Sequence, residues 1–113
     1  MVTLTHIKRT EAPTLKRADY NEFLYIRSTI RKDQKNGTCP IMWHIRTDYS
    51  AELKQRIDEL IRSTGFYPCR VGECNMWRDG NEYIIYIPYN SEQEWLELTT
   101  REERADIEAA LHR

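Results

Sequence analysis

Glycine and proline are scarce in this chain, four of each in 113 residues. Gly37, Gly65, Gly72 and Gly80 stand far apart and each has a turn, cap or bulge reading. No glycine-rich phosphate loop can be assembled from them. Ser28, Ser50, Ser63 and Ser91 lie in no G-x-S-x-G elbow, which removes the hydrolase signature. Three cysteines make an odd number without framework spacing. That argues against a disulfide scaffold and for reduced thiols at a cytoplasmic address. No apolar run has the length of a membrane span, and the opening MVTLTHIKRTEAP lacks the apolar block of a signal peptide. Low-complexity tracts and repeats of solenoid period are missing as well.

What is present is a globular composition, 40% hydrophobic and 31% charged with net charge −1. Its length suits a single domain, 1–113, with one core. The charge is uneven. Residues 1–56 carry 11 basic against 6 acidic side chains, and residues 57–113 carry 6 against 12. Such a split suits two faces that meet different partners, protein or nucleic acid.

The most legible stretch is Thr38 to Gly65. Ile41, Trp43 and Ile45 alternate with Met42, His44 and Arg46, the period of a half-buried strand. Asp48 or Ser50 can then cap a helix over 49–64, with Leu53, Ile57, Leu60, Ile61 and Thr64 along one face. Glu52 with Arg56 and Asp58 with Arg62 are i,i+4 pairs expected on its wet side. Gly65 supplies a left-handed residue to close it.

Asn21 to Lys32 fits two periods. As a strand, Leu24, Ile26, Ser28 and Ile30 face one way, whereas the helical stripe has Arg27 where an apolar residue is wanted. The Asn36-Gly37 dipeptide that follows is a strong hairpin signal. Together they predict a hairpin over 22–47. A second hairpin is expected over 67–89, with an edge at Pro68, a bulge at Gly72 and a turn at Asp79-Gly80. Its return strand, bulky at every position, reads as covered on both faces or central. Ser91 with Glu94 and Thr100 with Glu103 are capping boxes that open a helical segment over 91–112, kinked near Thr99. The order hairpin, helix, hairpin, helix gives an α+β fold, a pseudo-repeated ββα unit on an antiparallel sheet. Residues 1–20 read as an N-terminal edge strand and basic arm.

Cys39-x4-His44 and Cys69-x4-Cys74 form a conceivable zinc set. Both pairs sit on strand-like segments, where positions five apart point to opposite faces. No metal and no other cofactor is therefore expected. Aromatic residues are the informative excess: three Trp, seven Tyr and two Phe. In the strand reading, Tyr25, Arg27 and Arg31 share a face that His44 and Arg46 can extend. Tyr and Arg dominate protein interfaces. The sequence thus predicts a non-enzymatic binding module, an inhibitor or regulator docking on a protein through Tyr25, Arg27, Arg31, His44 and Arg46. The composition is compatible with accessory proteins of phages and mobile elements. The alternative is a nucleic-acid binder using the same Tyr/Arg/His sheet face, with Tyr86, and the basic arm Lys8, Arg9, Lys16 and Arg17. A small ribonuclease built on His44, Arg46 and Tyr86 is a further alternative.

Overall fold

The computed structural model describes residues 15–38 and 43–113. Among them the elements run α1 (Arg17–Lys35), β1 (His44–Arg46), α2 (Ala51–Arg62), β2 (Phe66–Gly72), β3 (Tyr83–Pro88), α3 (Glu92–Leu98) and α4 (Arg101–Leu111). The sheet is antiparallel with order β1-β3-β2. The class is α+β, with four helices and three strands among the described residues. None of these helices is long and apolar enough to cross a membrane.

The first hairpin and the ββα pseudo-repeat are overturned, because residues 17–35 form one helix. Phe23, Ile26 and Ile30 are buried from it, and spacings of three and four put them on one narrow face. Arg27 is no obstacle. Its guanidinium lies over the Phe23 ring, 5.7 Å from the centroid, at the edge of that face. Asn36-Gly37 is a helix end rather than a hairpin turn. Gly37 has φ 71°, but Asn36 is right-handed at φ −84°, and a type I′ turn needs both positive. Thr38 N–H donates to the Asp33 carbonyl at 2.8 Å and Gly37 N–H to the Gln34 carbonyl at 3.1 Å. This pair of bonds is the Schellman pattern. Arg17 to Tyr20, expected in an extended arm, are the first turn of α1. Residues 1–14 of that arm, including Lys8 and Arg9, and the positions Cys39 and Met42 lie outside the described residues.

The other elements follow the spacing. Ser50 caps α2, its Oγ accepting from the Leu53 N–H at 3.3 Å. Leu53, Ile57 and Ile61 are buried. They join Phe23, Ile26 and Ile30 of α1, Ile45, Ile84 and Tyr86 of the sheet, and Ile107, Ala110 and Leu111 of α4 in one core. β3 is central and all four residues from Tyr83 to Tyr86 are buried. The ladder irregularity falls between Pro68 and Arg70. Gly72 pairs in register with Tyr83, so the bulge expected at Gly72 sits three residues earlier. The chain breaks between α3 and α4 at Thr99, which is extended at φ −108° and ψ 148°. Arg104 donates to the carbonyls of Leu96 and Thr99, closing α3. Thr100 and Glu103 form a complete capping box. Ser91 takes only half of one, since the Glu94 carboxylate reaches back to the Asn90 N–H instead.

Two buried polar groups lock helices to this core. Asp58 is not on the wet side of α2. It is buried, accepts from the Tyr86 hydroxyl at 2.5 Å, and receives Arg62 Nε at 3.0 Å. Arg62 lies 4.9 Å over the Trp95 ring, and Trp95 Nε1 donates to the Pro68 carbonyl. Lys54, fully buried, donates from Nζ to the carbonyls of Thr47 and Ala110. It thereby caps the C-terminal end of α4 from α2.

Removing Asp58 leaves the Tyr86 hydroxyl buried without an acceptor and Arg62 without its ion pair. Asp58→Ala is expected to cost about 2–4 kcal/mol by urea denaturation, and Tyr86→Phe about 1 kcal/mol. A loss under about 0.5 kcal/mol for Asp58→Ala would show that the network carries no stability.

Candidate aromatic cleft

Sheet register decides which side chains meet away from the helices. Ile45, Ile84 and Val71 face one another across the three strands and join the main core. The next rows, His44 with Ile85 and Arg70, and Arg46 with Tyr83 and Gly72, therefore point to the opposite face. There Tyr83, Ile85 and Cys74 form a second, smaller cluster with Cys69 packed against it.

An open cleft of about 330 Å³ lies over this face. β1 and β3 supply His44, Arg46 and Tyr83 to its wall. Tyr25 comes from α1, Tyr49 from the turn after β1, and Trp77 and Asp79 from the 73–82 loop. Tyr25 is 63% exposed and Trp77 43%. Loop geometry at Asp79 is fixed locally. Its Oδ1 accepts from the Asn81 N–H at 3.0 Å, beside Gly80 at φ 76°.

Most polar groups here already have partners. Arg46 makes a two-pronged pair with Asp48, Nε to Oδ1 at 3.0 Å and Nη2 to Oδ2 at 2.6 Å. The bond holds the Asp48 carboxyl below its ordinary range. Tyr83 donates from its hydroxyl to Asp79 Oδ2 at 2.5 Å. That bond, with the Asn81 amide, holds Asp79 down at about 2. Tyr49 donates to Glu22 Oε1 at 3.4 Å. Burial first, and the Glu22 charge second, push its phenol up to about 12. His44 differs. It is buried, its ring meets Tyr83 edge-on at 6.2 Å, and its Nδ1 has no hydrogen-bond partner. Burial, and after it the Arg70 charge, lower its pKa below 6.5, so the imidazole is neutral at pH 7.

Of the contact residues expected from sequence, Tyr25, His44 and Arg46 come together in this cleft. Arg27 and Arg31 do not. In a helix, neighbours two apart do not share a face, so Arg27 turns away from Tyr25 to the Phe23 ring, and Arg31 is exposed outside the cleft. Lys16 and Arg17 are exposed at the start of α1. Tyr86 lies in the main core, fully buried and bonded to Asp58. It shares no surface with His44. Sequence reading missed Tyr49, Trp77, Asp79 and Tyr83. One signal was available: a Trp two residues before an Asp-Gly turn sits where loops usually carry polar residues.

Among the described residues, no three His, Cys, Asp or Glu side chains gather into a group that could hold a metal ion. Cys69 and Cys74 are free thiols, and burial pushes the Cys69 thiol up. Compared with known proteins, the chain matches no family model, no curated protein and no solved structure.

Because His44 folds neutral, the unfolded chain takes up this proton first as the pH falls. The His44 contribution to stability is complete above pH 6.5 and is lost as the pH drops below it toward the lowered folded value. The imidazole C2–H of His44 should titrate with a midpoint below 6.5. A midpoint at or above that value would contradict the buried placement.

Proposed function

We propose that the protein is a non-enzymatic binding module, of the inhibitor or regulator kind, that docks on a protein partner through the aromatic cleft. One observation carries this reading. Four aromatic side chains from four separate segments, Tyr25, Tyr49, Trp77 and Tyr83, converge on one opening beside Arg46. Aromatic and arginine anchors of this kind dominate the energetics of protein interfaces. Met76, next to Trp77 in the chain, is 70% exposed and adds apolar surface to the same loop.

The nucleic-acid alternative needs a groove of cations along a backbone path. Among the described residues, the single cation lining the cleft is Arg46, and it is tied to Asp48. A small ribonuclease built on His44, Arg46 and Tyr86 needs the three on one surface, while Tyr86 lies in the helix-covered core. Docking by contact, without a reacting group, fits side chains whose polar ends are already bonded to one another.

The test is affinity capture from cells of the source organism, with and without nuclease, using the wild type and folded Tyr25→Ala and Trp77→Ala variants. A protein should co-purify with the wild type after nuclease treatment. Each variant should weaken its binding by about tenfold or more, the range of an interface anchor. Recovery of RNA or DNA without protein at moderate salt, or capture that ignores both substitutions, would defeat the proposal.

A further inference from the structure

Docking through the cleft leaves open what the partner inserts. We propose that the cleft receives a cationic side chain, the guanidinium or ammonium group of an arginine or lysine on the protein partner. The inference rests on the docking reading above and deepens it.

The first support is charge. Asp79 lines the cleft, and Glu22 and Asp48 are bonded to its lining residues Tyr49 and Arg46. Arg46 balances Asp48 through both of its prongs. Glu22 and Asp79 are instead held by phenol hydroxyls, those of Tyr49 and Tyr83. A phenol bond leaves the negative charge in place. Arg70 shares this sheet face across Ile85 from His44, where its charge is felt, but it does not line the cleft.

The second support is the rings. A cation is drawn to the electron-rich face of an aromatic ring, most strongly Trp and then Tyr. A phenol that donates to a carboxylate has its O–H bond polarised toward the acceptor, which enriches the ring. Tyr49 and Tyr83 both do so, and both phenols are held protonated, the second chiefly by the Asp79 hydrogen bond. Trp77 and Tyr25 add two exposed walls.

The third support is His44, which lines the cleft yet adds no positive charge to it, because burial keeps the imidazole neutral at pH 7. Finally, about 330 Å³ is at the small end of ligand sites. It suits one inserted side chain rather than a helix or strand.

The experiment uses the full chain, with the Trp77 indole and Tyr83 amide resonances as reporters. Four probes are titrated: N-acetyl-arginine methylamide, N-acetyl-lysine methylamide with a free side-chain amine, neutral N-acetyl-norleucine methylamide, and uridine monophosphate. At least one of the two cationic probes should give saturable shifts at both reporters, and norleucine and the nucleotide should not. Glu22→Gln and Asp79→Asn should each weaken the cationic probe by about threefold or more, the scale of one such contact. Saturable binding of norleucine as tight as that of the cations would overturn the cation inference and leave the docking reading standing. Saturation by the nucleotide alone would overturn both. No saturable shift with either cation would overturn the inference, and the capture experiment would still decide docking separately.

Discussion

The packing of α1 on α2 is the contact on which the rest of the structure depends. Ile26 and Ile30 are fully buried from α1, and each such side chain contributes about 2 kcal/mol on area grounds. Polar bonds set the angle of approach. The Ser50 hydroxyl caps α2 and also donates to Asp19 in the first turn of α1 at 2.8 Å. One turn further on, Tyr49 donates to Glu22. With α1 held there, Tyr25 is carried to the cleft. A strand in place of α1 would alternate its side chains across a sheet and could not present Tyr25 beside Tyr49 while burying Phe23, Ile26 and Ile30 together.

The far side of α2 is held by different means. Lys54 and Asp58 are four apart, and both are buried. Lys54 reaches the end of α4, and Asp58 reaches β3. Two charged residues next to an apolar stripe thus tie one helix to the sheet and to the C-terminal helix. Burial lowers the Lys54 pKa, as expected for an ammonium taken from water into a ring of carbonyls. The direct consequence for the site is rigidity of β3, which carries Tyr86 toward the core and Tyr83 toward the cleft.

Much of this was legible in the sequence. Caps at Ser50, Ser91 and Thr100, the break at Thr99 and the central position of β3 all follow from local spacing. The segment from Arg17 to Lys35 was not legible for a physical reason. Its buried stripe is narrow, and Leu24, Ile26, Ser28 and Ile30 satisfy period two as well. Asn36-Gly37 serves either a hairpin or a helix end, depending on Asn36 φ, which no residue type fixes. The choice is made by α2, a partner distant in sequence. His44 and Arg46 lie on β1, as their alternation predicts, whereas the strand expected for Tyr25 is a helix, which brings Tyr25 to them by another route. Trp77 and Asp79 lie in a loop, where no periodicity announces a site. Asp58 and Lys54 look like surface charges until the core is assembled around them.

The site gathers aromatic rings and satisfied polar groups on the sheet face that the main core leaves open. That arrangement supports docking, and it exists only if residues 17–35 are one helix seated on α2. Backbone carbon chemical shifts, with methyl NOEs from Ile26 and Ile30, measure this most directly. Continuous helical shifts over 17–35 and NOEs from both isoleucines to the Leu53, Ile57 or Ile61 methyls are expected. Extended-type shifts over 22–32, or isoleucine methyls with no contact to α2, would contradict the fold and dismantle the cleft with it.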